Sequence, residues 1–318
     1  MAQIIKDYPD QVRFVYRYYP LIGTPEQPFH DKAALSVQAA EAAGAQGKFW
    51  EMHDLLFERQ SEWAGLSVDQ FQSWLMDAAK ELKLNEETFA TDLTSQKNKD
   101  LAQAAWDKAS SVGIPGTPFL LVNGQIWPNN LPMDYTNITS IIKLVQLEKR
   151  QYTECPPMTV DPLKQYVATL HTSKGDIVIE LYADKAPLAV NNFIFLAKDG
   201  WYDNVMFHRV LPGFVAQAGD PTNTGFGGPG YAFDNEISPD LKFDKAGVVG
   251  MANAGPGSNG SQFFITFAPA PDLNGGYTIF GQVIKGLDVA EKLTARDPSK
   301  PGVLPEGDII KSITIEEK

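Results

Sequence analysis

The feature that most constrains this chain is a change of pattern halfway along it. Before the proline-bearing stretch "QYTECPPMTVDPLKQ", residues 151–165, apolar residues recur at helical steps. After it they alternate in short runs separated by glycine. At 318 residues the chain exceeds what one core usually supports. The break therefore divides two domains, 1–150 and 166–318, with 151–165 as a linker.

The first half reads as a helical series. "DKAALSVQAAEAAGAQGKFWEMHDLLFERQSEW" repeats apolar residues at three- and four-residue steps, with Gly44 and Gly47 as breaks. "SVDQFQSWLMDAAKELK" predicts a helix capped by Ser67, with Phe71, Trp74, Leu75 and Ala78 on one face. "NEETFATDLTSQ" and "NKDLAQAAWDKASSVG" continue the series, the second closing at Gly113. Strand-like pieces flank the block: "QVRFVYRYYP" early and "PFLLVNGQIW" late, the latter with Asn123-Gly124 as a hairpin turn. "YTNITSIIKLVQLEKRQ" reads as a final helix.

In the second half, "QYVATLHTSKGDIVIELYAD" predicts two strands around Lys174-Gly175, and "APLAVNNFIFLAKDG" a helix ended by Gly200. Short strands with glycine turns follow, to "DIIKSITIEE", and point to an antiparallel barrel or sandwich.

Charge and cysteine usage narrow the function. Acidic residues outnumber basic ones 39 to 27, for a net charge of −12, which argues against nucleic acid as a partner. No apolar run approaches the roughly 18 residues that span a bilayer. The opening "MAQIIKDYPDQ" lacks the apolar core and cleavage site of an export signal. Cys155 is the only cysteine, so an internal disulfide is excluded. His30, His53, His171 and His208 are scattered without ligand spacing, and neither metal nor cofactor is expected.

One arginine stands out. In "VMFHRVLPGFVAQAGDP", Val205 to Pro221, Arg209 sits among Phe207, Val210, Leu211, Phe214 and Val215. A guanidinium stays charged, and burying it without partners is costly. Either it meets a carboxylate and is structural, or it faces a cleft. A second stretch, "MANAGPGSNGSQFFITF", leads a polar loop into a strand bearing Gln262, Phe263, Phe264 and Ile265. Together the two offer a cation, two amides and several aromatic rings, a set suited to an apolar group whose amide is held by polar neighbours. A phenylalanine-rich core with polar loops accounts for the same residues.

These two stretches resemble the signature segments of the cyclophilin-type peptidyl-prolyl isomerases. The likeness runs from Tyr166 to Glu316 and includes "VNNFIFLAKDGWYDNVMFHRV" and "LNGGYTIFGQVIKGLDVAEKL". It implies an eight-stranded antiparallel barrel capped by two helices, Ala186–Lys198 and Leu287–Thr294. It further implies a protein-folding factor that rotates X-Pro bonds in peptides and unfolded proteins. Arg209 would be catalytic, and Phe214, Val215, Phe264 and Leu273 would line the proline pocket. Gln217 and the backbone of Asn253 would hold the peptide, with Ala252, Gln262 and Tyr277 bordering it. Two positions depart from the pattern. Asp272 stands where many members carry a cyclosporin-binding tryptophan, and Tyr277 where many carry histidine. A catalytically weak proline-peptide-binding chaperone is the alternative.

In the first half, "FVYRYYPLIG", the alanine-rich helix, "GKFWEMHDLLFERQ" and "GIPGTPFLLVNG" resemble the DsbA-like branch of the thioredoxin fold, over about residues 10–145. This implies an α/β domain with a helical insertion and a cis bond before Pro118. The branch's Cys-x-x-Cys is missing, and dithiol exchange needs two thiols. The expectation is a native chain that starts upstream and carries that motif, which would make this part of a disulfide oxidoreductase working outside the cytoplasm. A chain that starts at Met1 would instead be a redox-inactive module in the cytoplasm.

Overall fold

The computed structural model describes residues 1–318 apart from 25, 26, 28, 129 and 301, and the side chain of residue 2. It divides into two compact units, Met1–Pro132 and Met133–Lys318.

The first unit is mostly helical: α1 (Ala2–Asp7), α2 (Ala33–Gly44), α3 (Phe49–Glu58), α4 (Gln60–Trp63), α5 (Val68–Glu81), α6 (Glu86–Leu93) and α7 (Gln96–Ser111). Its core gathers Ala39, Ala42 and Ala43 of α2 with Met52 and Leu55 of α3, Phe71 and Leu75 of α5, and Phe89 of α6. The small alanines of α2 let the larger side chains of its neighbours pack close. Ser67 caps α5 in a reciprocal pair with Gln70. Phe71, Leu75 and Ala78 are buried as the pattern predicts, while Trp74 is half-buried. Beyond α7 come β1 (Leu121–Val122) and β2 (Gln125–Ile126). They pair across Asn123 and Gly124, both at positive φ (49° and 81°), the geometry of a tight hairpin. The Thr117–Pro118 bond is cis.

Regular sheet in this unit is confined, among the described residues, to that hairpin. The stretch "QVRFVYRYYP" does not form the strand its alternation suggests. Its alternation is real: residues 12, 14, 16 and 18 are half-buried and residues 13, 15 and 17 exposed. Packing alone produces it, since the Phe14, Tyr16 and Tyr18 rings lie against Trp50 and Phe49 of α3. A strand also needs a hydrogen-bonded neighbour, and no described segment supplies one.

The second unit begins with α8 (Tyr135–Leu147), followed by β3 (Tyr166–Thr172), β4 (Gly175–Leu181) and α9 (Pro187–Lys198). Then come β5 (Val205–Met206), β6 (Arg209–Leu211), β7 (Val215–Ala218), β8 (Val248–Met251), β9 (Phe263–Thr266), β10 (Ile279–Lys285), α10 (Leu287–Ala290) and β11 (Ile309–Glu317). The strands form one antiparallel sheet in the order β5-β11-β3-β4-β10-β8-β9-β7-β6. Nine strands replace the expected eight because Val205–Leu211 is broken at Phe207–His208 into two short strands. These pair at opposite ends of the order. Met206 and Arg209 are three residues apart, a span of at most about 11 Å. The sheet must therefore curl until its first and last strands nearly meet.

Inside the curl, Leu170, Ile177, Ile179, Phe193, Trp201, Tyr202, Phe263 and Phe280 form the main core. Pro187 opens α9, where a missing N–H costs nothing. The Glu236 carboxylate accepts the Leu188 and Ala189 N–H groups at 2.9 and 2.8 Å, capping that helix. The second expected helix is shorter than Leu287–Thr294: only Leu287–Ala290 is helical, entered through Gly286 at φ 84°.

Residues 151–165 hold neither helix nor strand, yet they are fastened to α9. The buried Asn191 of α9 accepts the Thr159 and Val160 N–H groups at 2.8 and 3.2 Å and donates to the Pro157 carbonyl at 3.1 Å. Val160 and Leu147 both belong to the main core. Replacing Asn191 by Leu strands these backbone groups and should cost about 2 kcal/mol. Limited proteolysis should then cut near 157–160 faster than in the parent; unchanged cleavage would contradict this anchoring.

Candidate functional site

Alternation along four strands builds the site. In β6, β7, β9 and β8, every second side chain enters the main core: Val210, Ala216, Ala218, Phe263, Ile265, Val249 and Met251. The intervening side chains emerge on the other face. Register pairs Arg209 with Gln217, Gln217 with Phe264, and Phe264 with Gly250. Directly paired residues share a face. One row therefore runs from cation to amide to aromatic ring to glycine. The glycine is needed there. A Cβ at Gly250 would stand 2.8 Å from Phe264 Cζ and 3.0 Å from Phe243 Cζ.

Around that row lies a second apolar cluster, separate from the main core. Val215, Phe243, Val248, Phe264, Ala270 and Ile279 are its buried members, and Ala252, Leu273 and Tyr277 pack partly buried against them. The Phe264 ring stacks on Phe243 at 5.5 Å and meets Tyr277 edge-on at 5.6 Å. Phe214 lies outside this cluster. It is 37% exposed, with its ring 5.9 Å from the Arg209 guanidinium. The structure thus brings Val215, Ala252, Phe264, Leu273 and Tyr277 together and sets Phe214 beside the cation instead.

Arg209 is partly exposed and forms no ion pair among the described residues. Of the two alternatives left open by its sequence, the geometry favours an arginine facing outward. Its Nη1 donates to Gln217 Oε1 at 3.4 Å. Gln217 Nε2 donates to Gln262 Oε1 at 2.9 Å. Gln262 Nε2 donates to the Gly225 and Gly227 carbonyls at 2.9 and 3.0 Å. Asn253 turns its side-chain amide toward Asn235 and Gly276, at 3.1 Å each. Its own backbone N–H and C=O carry no hydrogen bond among the described residues. Grooves of about 280 and 420 Å³ elsewhere on this unit are lined by none of Arg209, Gln217 or Phe264. Arg209, Gln217, Leu273 and Tyr277 are each partly exposed, so the row forms a shelf open to solvent.

Sequence reasoning missed Phe243 and Ala270, which lie in loops without a periodic pattern. It also missed two ionisable groups behind the shelf. Asp220 is fully buried. Burial pushes its carboxyl up, but hydrogen bonds from Thr222, Gly227 and Gly225 outweigh that and hold it below the usual carboxylate range. His208 is also buried, and its Nδ1 has no partner. Burial pushes its pKa down to about 4; the Asp220 charge opposes the shift, and Arg296 and Arg209 add to it.

A histidine neutral in the fold but protonated near pH 6.5 when unfolded stabilises the protein fully above that pH. The contribution is lost as pH falls from about 6.5 to about 4, and amounts to roughly 3 kcal/mol. His208→Gln should remove this share. Urea denaturation at pH 7 and 4.5 should show a smaller pH difference in the variant than in the parent; equal differences would refute the assignment.

Comparison with known proteins gives two family matches. The family described as cyclophilin type peptidyl-prolyl cis-trans isomerase/CLD matches residues 167–316, and a thioredoxin family matches residues 1–143. The peptidyl-prolyl cis-trans isomerase ppi1 of Schizosaccharomyces pombe is 51% identical over 150 residues, covering 46% of this chain and 97% of that protein. Peptidyl-prolyl cis-trans isomerase A of Mycobacterium tuberculosis is 46% identical over 181 residues, covering 51% and 98%. A cyclophilin type isomerase of Cryptosporidium parvum, solved in the presence of the dipeptide Ala-Pro, is 42% identical, with a TM-score of 0.44 and coverage of 47% and 98%.

Proposed function

The chain belongs, through its C-terminal half, to the cyclophilin-type peptidyl-prolyl cis-trans isomerases, and we propose that Arg209 is the group that speeds rotation about the X-Pro bond. The barrier to that rotation is about 18–20 kcal/mol, because twisting breaks amide resonance. No covalent step is required. The enzyme must bind the twisted amide more tightly than either planar form.

As the bond twists, the prolyl nitrogen pyramidalises and regains its lone pair. Arg209 donates a hydrogen bond to that lone pair, and the planar amide nitrogen is too poor an acceptor to benefit equally. Preorganisation makes the donor effective. A guanidinium that forms no ion pair among the described residues, held by Gln217 at the border of an apolar cluster, is the observation that carries this reading. The proline ring rests on Phe264, Val215 and Leu273, with Tyr277 closing one side. Phe214 flanks the guanidinium. Gln217, Ala252 and the free backbone groups of Asn253 take the flanking peptide, and Gln262 orients Gln217. The substrates are proline-containing peptides and unfolded chains.

The N-terminal unit is proposed as a thioredoxin-like partner, with functional limits at residues 1–150 and 166–318. Cys155, the one cysteine in the sequence, lies outside the thioredoxin match, so this sequence carries no dithiol to exchange.

Arg209→Ala should lower the isomerisation rate by about a hundredfold, the scale for losing one preorganised donor. Peptide affinity should change only a few-fold. Exchange NMR on a short Ala-Pro peptide reads both, and an unchanged rate would leave Arg209 as scaffolding. Asp272, exposed at the position where many relatives carry tryptophan, should make cyclosporin a weak inhibitor. Inhibition at nanomolar dose, about −12 kcal/mol of binding, would refute that.

A further inference from the structure

Behind the shelf, the loop from Thr222 to Gly227 wraps a carboxylate that the proposed chemistry does not use. Asp220 Oδ1 accepts the Thr222 N–H at 2.8 Å and the Thr222 hydroxyl at 2.7 Å. Oδ2 accepts the Thr224, Gly225 and Gly227 N–H groups at 3.0, 2.7 and 3.1 Å, and the Thr224 hydroxyl at 3.2 Å. Asp220 forms no ion pair among the described residues. Its charge is balanced by dipoles, and those dipoles belong to one loop.

Two residues of that loop are bonded on both sides. Gly225 and Gly227 each give an N–H to Asp220 and present a C=O to Gln262. At residue 227 only glycine fits, because a Cβ would stand 2.0 Å from Asp220 Oδ1. With both carbonyls fixed, Gln262 must turn its amino group toward them and its oxygen toward Gln217. Gln217 must then offer its own amino group to Gln262, which leaves its oxygen for Arg209. Were Gln262 reversed, its N–H₂ would oppose that of Gln217 until Gln217 turned as well, and an N–H₂ would then face the guanidinium and hold nothing.

We propose that Asp220 is a positioning residue for Arg209: by fixing the loop carbonyls it sets the polarity of two amides in series, so that an acceptor oxygen meets the guanidinium. The effect passes through hydrogen bonds to neutral groups, and Arg209 keeps its positive charge for the substrate. This inference rests on Arg209 being the donor in catalysis, which Arg209→Ala tests by itself.

The experiment compares the full-length protein with Asp220→Asn, Arg209→Ala and the double variant. Exchange NMR on an Ala-Pro peptide gives turnover and peptide dissociation constant separately. Asp220→Asn leaves one acceptor oxygen where two stood and puts an N–H₂ against the loop N–H groups. Turnover should fall about tenfold while the dissociation constant stays within about twofold, the split expected when an interaction made only in the transition state is lost. In the Arg209→Ala background, adding Asp220→Asn should change turnover by less than about twofold, since two residues acting in one chain are not additive. Equal falls in both backgrounds would overturn the proposal, because the loop would then act independently of Arg209. An Asp220→Asn protein with parental turnover would overturn it too, while a slow Arg209→Ala protein would leave the reading of Arg209 intact. A fast Arg209→Ala protein would end both. If Asp220→Asn does not fold, Thr222→Val, which removes one hydroxyl donor to the carboxylate, should lower turnover about threefold with the same dependence on Arg209; parental turnover in a folded Thr222→Val protein, or an equal fall without Arg209, counts against the proposal.

Discussion

A strand presents successive side chains to opposite faces, and in β6, β7, β9 and β8 both faces have work to do. One side must be dry and close-packed to hold the curled sheet together. The other must put a cation, an amide and an aromatic ring beside one another. The alanines of β7 are the compromise. Ala216 and Ala218 fill the crowded interior with little volume, while Val215 and Gln217 reach the other face. A register slip of one residue in β7 would send Gln217 into the core and an alanine to the shelf, ruining both at once. Gly250 extends the same logic, since the room it leaves is filled by two phenylalanine rings.

Arg209 and Asp220 each form no ion pair among the described residues, and they lie within one hydrogen-bonded system. A direct ion pair would satisfy both at less structural expense. It would also quench the positive field that a developing lone pair must feel. Interposing two glutamines and a glycine-rich loop keeps the carboxylate satisfied by N–H dipoles and leaves the guanidinium open on its outer side. Such a network functions only when every member is satisfied, which accounts for the density of bonds around Asp220.

Much of this was legible in the sequence because the relevant signals are local. Ser67 marked a helix start, and Asn123-Gly124 a hairpin. Arg209, Gln217, Gln262 and Phe264 stood in two recognisable stretches, and the strand register brings them side by side. What escaped depends on partners distant in sequence. "QVRFVYRYYP" has the alternation of a strand, but a strand is defined by its neighbour, which no window of ten residues contains. Phe243 joins the apolar cluster from a loop whose path is set by long-range bonds, among them its N–H to the Asn274 side chain. Nothing in the pattern around Asp220 singles it out, and only the three-dimensional path of the loop reveals a buried carboxylate with its donors converging on it.

The border of the inherited module and the border of the folded one do not coincide. The isomerase family match opens at residue 167, whereas the compact unit opens at Met133. Between them lie α8, whose Leu147 enters the core of the curled sheet, and the strap that Asn191 holds down, with Val160 beside it. Here the preceding polypeptide has been absorbed as upholstery over an outer wall, so a fragment trimmed to the family outline would expose bare hydrocarbon where its longer parent is sealed.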